Sequence, residues 1–440
     1  MSRRVVITGL GPVTGLGLGI EPNWARAIAG TSAIEPIQAF DPAGFDCRIA
    51  AEVEPFKIRD FVPKTYRKAT KVMARDIELA VVAADMAARD AKLSTPSTDD
   101  QAQPSYASDR VGCHIGAGLI AGEIDELTAA LHQARHDDGS FDMHKWGQEG
   151  INHLTPLWLL KYLPNMLACH VTILHGTQGP SNTITCGESS SGLSIGESLR
   201  VIQRSSADLC FCGGVESKLN PMAFLRQQLT ERLNTTANDD PGQAVRPFDQ
   251  NAAGMAIGEG GGIVVLEALE TYQQRSGARA YAEVLSFAAS QTFHRATKNR
   301  TPDPAGQAIG AAITHALNEA NLTPDDIDLI APFGIGHRDW DGPEAVALQR
   351  IFGDRLANVA ITGNKALAGN CGAGAGAVDL AFTAQALYTQ TLPAILNRDH
   401  PIPGLRAGGA STQANLQHAL VCATGFGGQN TAIILKRLEA

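Results

Sequence analysis

Between residues 179 and 202 a short β-prone run meets a cluster of small residues and then an amphipathic helical segment. The run is Ser181-Asn182-Thr183-Ile184-Thr185, and the cluster is Cys186-Gly187-Glu188-Ser189-Ser190-Ser191-Gly192. Leu193, Ile195, Leu199, Val201 and Ile202 then supply the apolar positions of a helix. A strand, a tight elbow and a buried helix in this order are where α/β enzymes often mount a nucleophile, because a helix N-terminus stabilises negative charge. The same order also serves as a plain strand–turn–helix, so the rest of the chain has to decide.

The rest of the chain repeats this grammar. The first half reads as a strand over 5–8, helices over 21–30 and 69–92, and a polar surface loop over 94–109. Ala74, Ile77, Ala80, Val81, Ala84 and Ala87 give the second helix a packing face small enough for close approach. A strand over 110–115, a helix over 123–134, a polar irregular stretch over 137–152 and a helix over 156–170, disturbed at Pro164, lead to the elbow. Strands over 208–216 and 258–266 follow, with helices over 222–231 and 267–276. The second half reads as strands over 280–289, 327–332, 359–361, 419–423 and 431–435, with helices over 306–320, 342–352 and 374–389. Alternation of this kind predicts an α/β fold of mixed sheets covered by helices, with a duplicated body divided into residues 1–270 and 271–440.

Composition narrows the classes. The chain has 440 residues, enough for one large or two fused domains, and its 5% aromatic content beside 45 glycines suits helices packed closely on sheets. A net charge of −9 with no run of Lys or Arg argues against a nucleic-acid partner. The Gly-rich loop Gly9-Leu10-Gly11-Pro12 through Gly17 invites a dinucleotide reading, but Pro12 falls among the glycines and such a loop alone is weak evidence. The eight cysteines have no metal spacing and read as small core residues of a reducing compartment. No apolar run reaches membrane-spanning length, and Met1-Ser2-Arg3-Arg4 leads straight into a strand. The expected location is the cytoplasm.

At this point the residues resemble a family. Val5-Val6-Ile7-Thr8-Gly9, Pro164-Asn165-Met166, Gly179-Pro180-Ser181, Cys212-Gly213-Gly214-Val215-Glu216 and Arg246-Pro247-Phe248-Asp249 occur in order. Gly258-Glu259-Gly260, Asn364-Lys365, Gly376-Ala377-Val378-Asp379 and Gly425-Phe426-Gly427-Gly428-Gln429-Asn430 continue the series. The chain resembles the elongating β-ketoacyl-acyl-carrier-protein synthases of the thiolase-like superfamily over nearly all its length. The resemblance implies a five-layered αβαβα body with helices around 192–204 and 374–389 between the sheets. It implies a dimer in which the stretch before the elbow pairs with its copy, an acyl carrier protein as partner, and no cofactor or metal.

The family condenses acyl and malonyl groups with one cysteine and two histidines. Matched without gaps, the nucleophile position falls on Glu188, the first histidine on Phe333 and the second on Asn370. Supporting positions hold: Asp341 and Glu344 match the acids after the first histidine, and Lys365 and Asp379 match a charged pair. Phe426 keeps the aromatic of the Gly-Phe-Gly-Gly turn, whereas the gating aromatic before it is Thr424. Thr424, Phe426 and Cys186 are the expected pocket residues.

Glutamate is a far poorer acyl acceptor than a thiolate, and Phe and Asn cannot exchange a proton near neutral pH. An ionised Glu188 would also repel malonate. Relatives that only decarboxylate malonyl groups carry glutamine here but keep the histidines, so that role does not fit. Chain-length factors, inactive homologues that pair with an active ketosynthase and shape its acyl tunnel, are the nearer analogy. The expected function is therefore a non-condensing subunit of fatty-acid or polyketide-type synthesis, a homodimer or a heterodimer with an active ketosynthase. Two enzymatic alternatives stay open. One is condensation with rearranged residues such as Cys186, His337 and Cys371; the other is new chemistry with Glu188 as acid, base or nucleophile on a carrier-bound acyl chain. A two-residue offset along a strand is roughly 6–7 Å, which weighs against Cys186.

Overall fold

A computed structural model describes residues 3–99, 101–275, 277, 279–298 and 300–438. Runs rich in β-branched residues and glycine form strands buried on both faces, as a sheet covered by helices on either side requires. In chain order the strands that matter are β1 (Val5–Thr14), β2 (Val111–Ala117), β3 (Ser181–Ile184), β4 (Leu209–Glu216) and β5 (Gly260–Ala268). The second set is β6 (Ala282–Gln291), β7 (Leu329–Ala331), β8 (Ala360–Ile361), β9 (His418–Thr424) and β10 (Gln429–Lys436).

The two sets have the same topology. The first runs β3-β2-β4-β5-β1, with β2 parallel to β3 and β4, and β5 antiparallel to β4 and β1. The second runs β8-β7-β9-β10-β6 with the same parallel and antiparallel pairs. They meet where β1 pairs antiparallel with β6, at Val6↔Glu283 and Ile7↔Ala282, making one continuous sheet.

Six helices make the layers: α1 (Arg75–Asp90), α2 (Met166–His175), α3 (Ser190–Gln203), α4 (Gln307–Ala320), α5 (Arg338–Phe352) and α6 (Ala375–Thr389). Helix α1 packs on β1, β4 and β5, with α2 beside it against β2. Helix α4 covers β6, β9 and β10, with α5 alongside. Helix α3 lies against β2 and β4 on one side and β6 and β10 on the other, while α6 lies between β5 and β9. The result is the five-layer αβαβα body of the thiolase-like fold, with α3 and α6 in its middle layer.

Small residues make that middle layer possible. A Cβ on Gly192 would stand 2.3 Å from Thr431 Oγ1, and one on Gly376 would stand 2.9 Å from Ser191 Oγ. Nothing larger fits without moving a strand. Residues 375–387 of α6 are buried all round, which is why that segment shows no amphipathic stripe.

Several expected boundaries move for local reasons. The helix read over 156–170 is a 3₁₀ turn at Trp158–Tyr162 and then α2, which starts after Pro164 and runs through His175. Proline is disfavoured in a helix interior but suits its first turn and the residues just before it. The stretch before the elbow is therefore helical to His175, and only Ser181–Ile184 is strand. The helix read over 69–92 splits into a 3₁₀ turn at Ala69–Val72 and α1. The helix read over 267–276 shrinks to Leu269–Tyr272 because β5 runs on to Ala268, and residue 276 lies outside the described residues. Among the described residues no helix is long and apolar enough to cross a membrane.

Candidate functional site

The elbow is built by hydrogen bonds within its own turn. Gly187 adopts φ +56°, a left-handed conformation that favours glycine. Ser190 Oγ donates to the Gly187 carbonyl at 2.6 Å and accepts the Cys186 N–H at 2.8 Å, tying the turn to the first turn of α3. Ser189 Oγ donates to the Gln429 carbonyl at 2.8 Å and anchors the elbow to β10. Glu188, between them, is 1% exposed.

Its carboxylate is fully engaged. Oε1 accepts from Arg232 Nη1 at 2.7 Å and from Asn370 Nδ2 at 3.4 Å, while Oε2 accepts from the Phe426 N–H at 2.9 Å. Burial alone would raise the Glu188 carboxyl, but the charges of Arg232 and Lys218 and the Phe426 N–H outweigh it and hold it at about 2. Glu188 is an anion whose lone pairs point at donors from the protein itself. Such a group is neither a free nucleophile nor a general acid at neutral pH.

Arg232 follows the helix Pro221–Gln228 and is buried. Its Cζ stands 4.9 Å from the Trp340 ring centre and 5.0 Å from that of Phe426, and these two rings are stacked 13° from parallel. The cation therefore has a carboxylate at one nitrogen and two aromatic rings beside it, an arrangement that suits a desolvated guanidinium. Nothing in its local sequence, Thr230-Glu231-Arg232-Leu233-Asn234, marks Arg232 or predicts Trp340 as its neighbour. The usable signal lay at the other end: a glutamate buried at an elbow requires a cation.

Phe333 is buried, with its ring centre 5.9 Å from that of Trp340 and 5.3 Å from Lys365 Nζ. Trp340 links it to the Glu188 group. Asn370 is drawn in directly, and its Oδ1 accepts the Gly372 N–H at 3.1 Å. Asp341 and Glu344 instead hold backbone. Glu344 accepts from the N–H groups of Phe333 and Gly334 at 2.9 and 3.0 Å, and Asp341 from those of Phe248, Ile335 and Gly336 at 2.9–3.0 Å. Burial pushes Glu344 up to about 7 and Asp341 to about 6 against these N–H contacts. Lys365 pairs with Asp379, which Asn364 Nδ2 also reaches at 2.9 Å. These four residues thus fix the loop that carries Phe333 and the support beneath it.

Thr424 is buried at the end of β9, Phe426 is partly exposed, and Cys186 is half-buried with its thiol pushed up by burial. Cys371 is buried and its thiol is pushed up to about 12. His337 caps α5, its Nδ1 accepting the Asp339 N–H at 3.2 Å. It shares a cavity of about 520 Å³ with Thr230, Arg232, Thr297, Lys298 and Trp340. Arg232 and Trp340 thus belong both to the surround of Glu188 and to the wall of that cavity. Among the described residues no His, Cys, Asp and Glu cluster could hold a metal ion.

Comparison with known proteins follows this geometry. The family model "Beta-ketoacyl synthase, N-terminal domain" matches residues 2–272, and "Beta-ketoacyl synthase, C-terminal domain" matches residues 281–399. The 3-oxoacyl-[acyl-carrier-protein] synthase 2 of Rhizobium meliloti (strain 1021) is 32% identical over 447 residues, covering 99% of both chains. A solved structure described as the ishigamide ketosynthase/chain length factor superposes with a TM-score of 0.84 at 26% identity, covering 100% of both chains. Another shares the fold at a TM-score of 0.79 and 22% identity, again covering 100% of both chains. It is a type II PKS acyl-carrier protein in complex with its ketosynthase bound to the hexaketide.

Proposed function

This chain belongs to the β-ketoacyl synthase family, and we propose that within it the chain is a non-condensing subunit that pairs with an active ketosynthase. Its setting is fatty-acid or polyketide-type synthesis on carrier-bound acyl chains, and its part resembles that of a chain-length factor. The observation that carries this reading is the Glu188 carboxylate, buried and held ionised by Arg232, Asn370 and the Phe426 N–H. These donors would otherwise stabilise charge on a reacting acyl group, and here they are spent on the protein's own anion. With Phe333 and Asn370 at the histidine positions, no side chain there exchanges a proton near pH 7. A general-acid or nucleophilic role for Glu188 is disfavoured by the same contacts.

Pairing is part of the reading. Among the described residues strand β3 has β2 on one side only, so its other edge is open to a further strand once the Asn182 side chain releases the Thr183 N–H it accepts at 2.8 Å. Leu119, Leu157, Leu159 and Ile173, exposed apolar side chains, all lie in the segments that precede it in sequence. Two such edges brought together would extend the sheet across a two-fold axis. We read residues 1–270 and 271–440 as the two repeated halves of each subunit, an acyl carrier protein as its transient partner, and the cytoplasm as its place.

The test is mass spectrometry after incubation with acyl- and malonyl-carrier proteins, alone and with a co-purified ketosynthase. The expected result for the chain alone is no adduct on Glu188 or Cys186 and no ketoacyl product. A thioester on Cys186 together with ketoacyl product would overturn the proposal in favour of a rearranged synthase. Glu188→Gln altering a partner's product length, without any adduct on this chain, would support it.

A further inference from the structure

At the end of the sheet where β1 and β6 meet, the two halves share only a short ladder, and beside it lies a cavity of about 640 Å³. The first half contributes Arg4 and Leu269 to its wall; the second contributes Tyr272, Tyr281, Tyr388, Lys436 and Arg437. We propose that this seam cavity binds a nucleotide-sized anion, a flat aromatic ring carrying phosphate.

The aromatic part of the argument rests on two rings. Tyr281 is buried and donates its hydroxyl to Asp90 at 2.8–2.9 Å, so its ring is fixed in place. Tyr388, in the last turn of α6, packs edge-on against it with centres 5.3 Å apart and is 48% exposed. It is a large aromatic held in position with open surface in a concavity, a shelf on which a ring can stack with little ordering left to do. Arg279 adds a cation 5.6 Å from the Tyr281 ring centre.

The charge argument is independent of the rings. Arg4 is neutralised by Glu283, with both nitrogens of the contact within 2.7 Å of its oxygens. Lys436 stands opposite Glu283 in the β6–β10 ladder. Glu283 is bound to Arg4, and among the described residues neither Lys436 nor Arg437, both in the cavity wall, forms an ion pair. In a chain of net charge −9, two cations at a concave seam with no ion pair among the described residues are a local inversion of sign. A carboxylate would answer one of them, whereas a diphosphate answers both. A cavity between two structural halves, walled by tyrosine rings and convergent cations, is a place where a small molecule with a ring and a negative charge can be held.

Calorimetric titration of the full chain with ADP, adenosine and inorganic diphosphate tests this. ADP should bind saturably, with adenosine and diphosphate each weaker by about tenfold or more. Tyr388→Ala and the double change Lys436→Ala/Arg437→Ala should each weaken ADP by about tenfold, and Tyr388→Phe should retain binding. Far-UV circular dichroism on each variant separates lost binding from lost fold, and these positions are exposed enough to tolerate change. Absence of saturable ADP binding, or binding indifferent to all three changes, would overturn the proposal. So would diphosphate binding as tightly as ADP, since the ring shelf would then do nothing. None of these outcomes bears on condensation at the elbow, so this inference and the reading of Glu188 stand or fall separately.

Discussion

Arg232 Nη1 meets Glu188 Oε1 at 2.7 Å, and both side chains are buried. Breaking a buried pair by removing one partner leaves the other charge uncompensated, at roughly 3–5 kcal/mol, although the intact pair itself contributes little net stability. Glu188→Ala should therefore lower the unfolding free energy by about 3–5 kcal/mol, and Glu188→Ala/Arg232→Met should recover most of that loss. Urea denaturation monitored by circular dichroism reads both values. A single variant as stable as the parent would mean that Arg232 reaches solvent.

Glu188→Cys, which places a thiol at the position that motif matching aligns with the family's nucleophile, inherits the same problem. A thiol leaves Arg232 buried without its carboxylate unless it ionises, so the variant should also be destabilised. It should yield no ketoacyl product, because Phe333 and Asn370 still supply no proton transfer. Product formation by this single variant, measured with acyl and malonyl donors, would show that the histidine positions are not needed.

The buried carboxylates predict a stability optimum on the acid side of neutrality. Glu188 lies at about 2 when folded against an ordinary 4.5, so its contribution is present above pH 4.5 and lost as pH falls through 2. Glu344 at about 7 and Asp341 at about 6 have the opposite sign. Their contributions are present below their ordinary 4.5 and 3.8 and are lost as pH rises through the folded values. Asp76, raised by burial to about 7, adds to the second group. The melting temperature should peak near about pH 4 and fall toward about pH 8. In Glu188→Gln the decline on the acid side should be shallower. A melting temperature rising steadily from pH 5 to 8 would contradict this assignment.

Gly196 sits in α3 where a Cβ would come within 2.5 Å of the Phe287 ring on β6. Alanine gains about 1 kcal/mol of helix propensity over glycine, while overpacking a tight core loses about 1–3 kcal/mol. Gly196→Ala should be destabilising by about 1 kcal/mol net, and adding Phe287→Leu should remove the clash. Thermal unfolding of the two variants checks the sign. A stabilised Gly196→Ala would mean that the middle layer can part without loss.

The strand–helix alternation and the elbow were legible because period-2 and period-3.6 patterns and small-residue clusters are local properties. Helix boundaries moved where a local pattern met a breaker, as at Pro164, or where sheet pairing outlasted it, as at Ala268. The positions of Glu188, Phe333 and Asn370 came from matching motifs, and their residue types already spoke against condensation. Arg232 and Trp340 were invisible, since 44 residues separate Arg232 from its carboxylate and only the folded chain brings in the indole. The even burial of α6 left no stripe to read, so its central place came from the resemblance and from its content of small residues. The seam cavity draws on residues from 4 to 437, a juxtaposition no window along the chain contains.

The last prediction concerns pairing. Ile173 is exposed on α2, the helix that leads into edge strand β3, although it is flanked by the buried Val171 and Leu174. An isolated exposed isoleucine needs no explanation, but this one accompanies Leu119, Leu157 and Leu159 and an open strand edge. A stable protein–protein interface needs on the order of 1,200–2,000 Å² of buried surface, more than any one of these elements offers, so several must be covered together. Ile173→Asp introduces a charge into that patch without touching the core side of α2. It should leave the circular dichroism spectrum unchanged and shift sedimentation at micromolar concentration from dimer to monomer. Introducing proline at Thr183 should do the same by removing an N–H that Asn182 Oδ1 accepts here and that a pairing strand would have to take over. If parent and variants are all monomeric, the partner is a different chain. Mixing with an active ketosynthase should then give a heterodimer that Ile173→Asp abolishes. A parent that stays monomeric under both conditions would remove pairing from the proposed function.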